Sequence, residues 1–81
     1  MTDESPEPVE LDLSGLKCPL PVLRTRKALH GLPAGATLAV LSTDPLAAID
    51  IPHLVRGEGD ALLGQERRGG AIRFVIRRAP R

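Results

Sequence analysis

The segment VELDLSGLKCPLP, residues 9–21, decides how the fold begins. Apolar and polar residues alternate from Val9 to Leu13, which is the period of two that a half-buried strand shows. Gly15 follows this alternation and is typical of the turn that ends a strand. The segment therefore predicts a first strand followed by a short loop that carries Cys18.

A helix is predicted next, from about Pro19 to His30, because prolines open the segment and glycines follow it. Its apolar residues recur at helical spacing, so they should share one face that covers a sheet. That face consists of Val22, Thr25, Ala28, Leu29 and Leu32.

A second strand is predicted over residues 36–43, which form a short apolar run between turn signals. Asp44-Pro45 is typical of an N-cap and a first helical turn, and it opens a second helix that should end at residues 57–59. Pro52 should kink this helix or restart it after Asp50. The apolar stripe of the helix consists of Ala47, Ala48, Ile51, Leu54 and Val55.

Two closing strands, Ala61 to Arg68 and Ala71 to Arg78, flank the hairpin signal Gly69-Gly70. The order β-α-β-α-β-β predicts an α/β (α+β) two-layer sandwich, in which a four-stranded mixed sheet carries both helices on one face. Crossover connections should pair successive strands in parallel, with the last strand antiparallel. The other face should stay in solvent, and the sandwich has no room for a deep ligand cavity. That open face should carry Arg73, Val75 and Arg77.

The composition bounds the chain to one small domain. It has 81 residues, of which 42% are hydrophobic and 26% are charged, and these values are typical of a globular chain. We expect a flexible tail at residues 1–8 and a single domain over residues 9–81. One cysteine forms no intrachain disulfide, and His30 and His53 complete no zinc set. We therefore expect no cofactor, no metal and no membrane partner, and a cytoplasmic location.

Cys18 is the residue with the clearest chemistry. A helix N-terminus and the neighbouring Lys17 should lower the pKa of its thiol, with the Leu20 N–H as the only early donor able to reach the sulfur. Pro19 and Pro21 should hold the sulfur outward and contribute to its presentation more than to the core. The alternative is a buried cysteine that acts as a small hydrophobic residue.

Other polar residues carry weaker signals. His30 and His53 fit solvated or capping roles, and Asp44 and Asp50 fit a cap and a helix start better than a catalytic pair. Arginines crowd the C-terminus at positions 67, 68, 73, 77, 78 and 81. They are typical of a solvated strand face or of an acidic-partner surface. Phe74 is the only aromatic side chain, so we do not expect direct nucleic-acid binding.

The segment from Leu13 through Cys18-Pro-Leu-Pro21 resembles the Cys-Pro-x-Pro signature of the TusA/SirA family of small sulfur carrier proteins. Asp44-Pro45 and Asp50-Ile51-Pro52 fall where that family has its second helix, and the resemblance extends from about Leu11 to Arg78. It implies the β-α-β-α-β-β sandwich. It also implies that Cys18 accepts sulfane sulfur as a persulfide, with Lys17, Pro19, Leu20 and Pro21 in support.

The resemblance further implies protein partners. A cysteine desulfurase or rhodanese-like donor would load the cysteine, and an acceptor sulfurtransferase would take the sulfur onward, toward tRNA thiolation, molybdenum-cofactor synthesis or sulfur oxidation. Such a chain is a persulfide carrier rather than a multiple-turnover enzyme acting on a small molecule, and we expect a monomer. Docking should use exposed apolar side chains and a basic fringe beside the cysteine. The candidate docking residues are Leu20, Leu23, Leu46 and Ile49, with Arg24, Arg26 and Lys27 as the fringe.

Two other functions fit parts of the sequence. The first is a non-catalytic adaptor or RNA-binding module that uses the C-terminal arginines. The second is a disulfide reductase, which the lack of a Cys-x-x-Cys pair disfavours. The basic residues of the fringe, Arg24, Arg26 and Lys27, could also serve only to solvate the first helix.

Overall fold

The structure is a computed structural model that describes residues 8–79. Within this range the predicted order of elements is confirmed, and so is the two-layer α+β sandwich with two helices on a mixed sheet. The predicted tail falls mostly on residues 1–7, outside the described residues, and the division into tail and domain stays a prediction. The strands are β1 (Val9–Leu13), β2 (Thr37–Ser42), β3 (Ala61–Arg68) and β4 (Ala71–Arg77), and the helices are α1 (Leu20–His30) and α2 (Ala47–Glu58).

The sheet has the strand order β1-β2-β4-β3. β1 and β2 are parallel as predicted, and β4 is antiparallel to both of its neighbours. The expected parallel pairing of β2 with β3 is wrong, because β4 lies between them. β4 alternates buried and half-buried residues, with Phe74 at its centre, whereas the last four residues of β3 are exposed. An apolar strand belongs in the middle of a sheet and a polar one at its edge, so the hairpin folds β4 inward.

The core lies between the helices and one face of the sheet, as the apolar stripes predict. Its buried members are Leu13, Leu29, Leu38, Val40, Ala47, Ile51, Val55, Ile72, Phe74 and Ile76. Pro21 is also fully buried, which corrects the expectation that it mainly presents the sulfur. It precedes Thr25 and Leu29 at helical spacing on the buried face of α1, so it packs against the sheet at the start of that helix.

α2 is one continuous helix, so the predicted restart after Asp50 is wrong. Pro52 lies inside it and lacks one backbone hydrogen bond. The buried Ile51 and Val55 lie on either side of the proline and hold both halves of the helix on the sheet. Gly59 ends α2 in the left-handed conformation, with φ 78°, and its N–H bonds back to the last turn. Between residues 8 and 79, no helix has the length and apolar character needed to cross a membrane.

The sheet face opposite the helices is open to solvent, as predicted. Arg73 and Val75 are half-buried there, and Arg77 is exposed. Arg73 extends across β2, and its Nη2 lies 3.1 Å from Oε2 of Glu10 on β1. The basic end of the sequence therefore pairs in part with the acidic beginning of the domain.

Candidate functional site

Two loops meet at one end of the sandwich. β1 and β2 are parallel, so their carboxyl ends lie at the same edge of the sheet, where α/β folds commonly place their sites. Gly15 turns the chain out of β1 with φ 85°, a conformation that favours glycine. Its N–H donates to Oγ1 of Thr43, just beyond β2, at 2.8 Å. The loop that carries Cys18 is thereby attached to the loop that enters α2.

Cys18 lies in this first loop with its side chain exposed. Its backbone N–H donates to Oδ2 of Asp44 at 2.7 Å, and the peptide bond to Pro19 is cis. The Leu20 N–H donates to the Lys17 carbonyl at 2.9 Å. The expectation that the Leu20 N–H is the donor available to the sulfur is therefore wrong, because a backbone turn already uses this N–H.

The electrostatic environment of the thiol is negative. The pKa of Cys18 is raised above its ordinary value, first by desolvation, then by the charge of Asp50 and a hydrogen bond to that carboxylate, and last by the charge of Asp44. The expected lowering by Lys17 and the helix N-terminus is therefore wrong. A carboxylate that accepts the thiol proton stabilises the neutral form and disfavours the thiolate. The exposed Cys18 thiol is thus harder to ionise than an ordinary cysteine.

Asp44 is almost fully buried, at 8% exposure. Its Oδ1 accepts from the Leu46 N–H at 3.1 Å, while its Oδ2 holds the Cys18 N–H. Its own N–H donates to Oγ of Ser42 at 3.2 Å. The predicted capping role is correct in part. Asp44 bonds the turn before α2, but that helix begins three residues later, at Ala47, and has no side-chain cap.

Four exposed apolar side chains lie on the helix starts around Cys18. Leu20 and Leu23 of α1 are 40% and 45% exposed, while Leu46 and Ile49 at the start of α2 are 51% and 69% exposed. Beside them, the two loops and Leu46 line an open concavity of about 330 Å³. Its lining consists of Gly15, Leu16, Lys17, Thr43, Asp44, Pro45 and Leu46.

The three basic residues of α1 are exposed, but the structure divides them. Arg24 and Lys27 line a shallow concavity beside Leu11 of β1. Arg26 instead faces α2, where its charge contributes to lowering the pKa of Glu58. Only Arg24 and Lys27 therefore lie together as the predicted fringe.

The remaining candidates take no part in this site. Nε2 of His30 lies 2.7 Å from Oε1 of Glu58, where the two helices end, and His53 is exposed on α2. Among residues 8–79, no cluster of three His, Cys, Asp or Glu side chains could hold a metal ion.

Three of the five C-terminal arginines that the structure describes are paired. Arg68, Arg73 and Arg78 each pair with a carboxylate. Phe74 is completely buried, so the one aromatic ring cannot stack on a base. These contacts disfavour the RNA-binding alternative.

Comparison with known proteins agrees with this fold and site. A family model described as Sulfurtransferase TusA matches residues 9–78. The sulfur carrier protein TusA of Allochromatium vinosum is 39% identical over 86% of this chain and 92% of its own length. The protein of the same name from Pseudomonas putida is 40% identical over 96% of both chains.

A solved structure gives the same result. The crystal structure of a SirA-like protein from Desulfitobacterium hafniense has a TM-score of 0.77 and 29% identity, and the match covers 88% of this chain and 97% of that chain. The fold and the loop that presents one cysteine define a small α+β protein with a surface thiol. The chain belongs to the TusA/SirA family.

Proposed function

We propose that this protein is a sulfur carrier that holds sulfane sulfur as a persulfide on Cys18. The single observation that carries the proposal is the exposed Cys18 thiol within a Cys-Pro-x-Pro segment, at the point where two loops and two helix starts meet. Membership of a family whose relatives bear the name sulfur carrier protein supports it.

Loading is an exchange of one sulfur atom between two cysteines. The Cys18 thiolate attacks the terminal sulfur of a persulfide on the donor, a new S–S bond forms on Cys18, and the S–S bond of the donor breaks. The donor cysteine leaves as a thiolate and takes up the proton that Cys18 gave up. Delivery repeats these steps with Cys18 as the leaving group, so no external oxidant or reductant is needed.

The raised pKa of Cys18 gives the resting carrier a low reactivity. A neutral thiol reacts slowly with oxidants and with stray disulfides, because the thiolate is the nucleophile. A partner that brings positive charge to Asp50, or that accepts the thiol proton, activates Cys18 within the complex. We therefore expect fast loading by a docked protein donor and slow alkylation of the free protein at neutral pH.

Docking uses the surface around the sulfur, because the site has no enclosed pocket. Leu20, Leu23, Leu46 and Ile49 form the proposed apolar contact, and exposed apolar side chains of this kind mark protein interaction sites. Arg24 and Lys27 lie on the β1 side of α1 and steer an acidic donor.

Steering by Arg24 and Lys27 predicts that transfer slows as ionic strength rises. At low salt, the double substitution Arg24→Glu with Lys27→Glu should make sulfur transfer slower than in the wild type. The melting temperature should change little, because both side chains are exposed. Transfer that is independent of salt, and equally fast in the double variant, would leave the apolar contact as the only dock.

The proposed partners are a cysteine desulfurase or rhodanese-like donor and an acceptor sulfurtransferase protein. The proposal places the chain in the cytoplasm as a monomer, upstream of tRNA thiolation, molybdenum-cofactor synthesis or sulfur oxidation. Lys17 and Pro19 support the loop from which the sulfur is presented.

Intact-mass measurement tests the loading step. The protein is incubated with a cysteine desulfurase and cysteine. Each protein molecule should gain about 32 Da, and dithiothreitol should remove this mass, as is expected of a persulfide. Cys18→Ala should gain nothing. Equal mass gains in the wild type and in Cys18→Ala would contradict the proposal.

A further inference from the structure

Asp44 joins the sulfur-bearing loop to the start of α2. One carboxylate oxygen accepts from the Cys18 N–H at 2.7 Å, and the other accepts from the Leu46 N–H at 3.1 Å. Hydrogen bonds to an ionised carboxylate are stronger than neutral ones. One nearly buried side chain therefore fixes the backbone of the cysteine relative to an exposed apolar residue of the other helix start.

The position of Asp44 is itself fixed. Its N–H bonds to Ser42 at the end of β2, and β2 is an interior strand paired on both sides. The neighbouring hydrogen bond from the Gly15 N–H to Thr43 holds the beginning of the loop that carries Cys18. Hydrogen bonds of Ser42, Thr43 and Asp44 therefore connect the end of β2 to the loop that carries Cys18.

Asp44 and Asp50 take part in no ion pair among residues 8–79. A negative side chain beside a nucleophile that must ionise opposes its activation. The two hydrogen bonds that the Asp44 carboxylate accepts give a reason for its presence: they hold the sulfur in place.

We propose that Asp44 is the positioning residue of the carrier site, holding the Cys18 backbone so that the sulfur faces a partner docked on Leu46. This inference rests on the proposed sulfur carrier function. Asp44 does not touch the transferred sulfur and acts through the backbone of Cys18. A displacement of about 1 Å between reacting groups can lower a rate on the order of 100-fold.

Substitution of Asp44 gives a graded test. Asp44→Ala removes both acceptors, and loading by a cysteine desulfurase should slow by about 10- to 100-fold. Asp44→Asn keeps one carbonyl oxygen, which can serve only one of the two N–H groups, so its rate should fall between that of the wild type and that of Asp44→Ala. Melting curves show whether each variant folds.

The pH profile of alkylation by iodoacetamide is a second measurement. The charged groups near the thiol are Asp44, Asp50 and the adjacent Lys17. Both Asp44 variants remove a negative charge, so Cys18 should alkylate at lower pH than in the wild type even as its loading slows. A merely structural residue would not increase one reactivity while lowering the other.

Asp12→Asn is the matched control. Asp12, near the end of β1, also accepts a backbone N–H from the same loop, but this N–H belongs to Ser14, at 2.9 Å, and not to Cys18. Its loading rate and alkylation profile should equal those of the wild type. Asp44→Ala with a wild-type loading rate, or with an unshifted alkylation profile, would overturn the inference.

Amide hydrogen exchange in the wild-type protein needs no variant. The Cys18 N–H should exchange slowly although the residue is exposed, because this N–H donates to Asp44. Rapid exchange would overturn the inference, even where Asp44→Ala fails to fold. If the wild type gains no sulfur, the carrier function fails. Amide exchange and alkylation still decide whether Asp44 holds Cys18.

Discussion

Both ends of the sandwich contain carboxylates, but the groups that bond to these carboxylates differ between the two ends. At the end where both helices finish, Glu58 meets His30, and the buried Asp60 lies 3.5 Å from Nη1 of Arg78. At the Cys18 end, Asp44 bonds only neutral N–H groups, and Asp50 lies beside a thiol. Removing the cation from a buried acid–cation pair destabilises a fold. An acid left with neutral donors near a nucleophile is typical of a functional site.

The compensated end should dominate stability. Arg78→Met leaves the buried Asp60 carboxylate without its guanidinium and should cost about 3 kcal/mol of the free energy of unfolding. For a domain of this size the melting temperature should then fall by more than about 10 °C. Arg77→Met, at the exposed neighbouring position, is the control and should melt like the wild type. Equal melting temperatures for both variants would remove the contrast between the ends.

The uncompensated end should control reactivity instead. Asp50→Asn removes the carboxylate charge that raises the pKa of Cys18 most and the acceptor of the thiol proton, so this pKa should fall toward its ordinary value. Alkylation by iodoacetamide at neutral pH should become faster, while the free energy of unfolding should change by less than about 0.5 kcal/mol. An alkylation rate like that of the wild type would mean that the Asp50 charge does not reach the thiol.

The smallest expected effect is the pH dependence of the Glu58 contact. Chiefly through the hydrogen bond from His30, the pKa of Glu58 is held below its ordinary value. A carboxylate with a lowered folded-state pKa stabilises the protein above its unfolded pKa, and this contribution is lost as the pH falls through the folded value. Glu58→Gln should therefore show a shallower loss of stability in acid than the wild type.

Urea midpoints measured from neutral pH into the acid range check this sign. Glu66→Gln is the matched control, because Glu66 forms an exposed pair with Arg68 on β3, and such pairs contribute little. Its acid profile should follow that of the wild type. A Glu58→Gln profile parallel to the wild type would show that this contact does not contribute to stability.

Much of the fold follows from local patterns in the sequence. Alternation of period two predicted β1 and the strands of the hairpin, and helical spacing predicted the buried faces of α1 and α2. The position of β4 between β2 and β3 was missed, because a hairpin signal shows that two strands pair but not which of them pairs again. Burial of Pro21 was missed because a proline near a helix start is usually interpreted only as a signal that the helix begins there.

The site was predicted less completely than the fold. Cys18 was found from its motif and its place before a helix, whereas the bond from its N–H to Asp44 spans 26 residues and has no local pattern. One signal was available. Parallel strands end at the same edge of a sheet, so the residues after β1 and after β2 had to meet. That argument would have placed Asp44 beside Cys18 and questioned the lowered thiol pKa.

Onward transfer tests the central claim, that Cys18 carries sulfur rather than merely reacting with it. The persulfide-loaded protein is freed of donor and mixed with a rhodanese-type sulfurtransferase that has a single cysteine, and both intact masses are followed. If Cys18 is a carrier, the loaded protein should lose about 32 Da as the acceptor gains it, one for one, and reduced Cys18 should load again. Sulfur that stays on Cys18, or leaves only when a reductant is added, would contradict it.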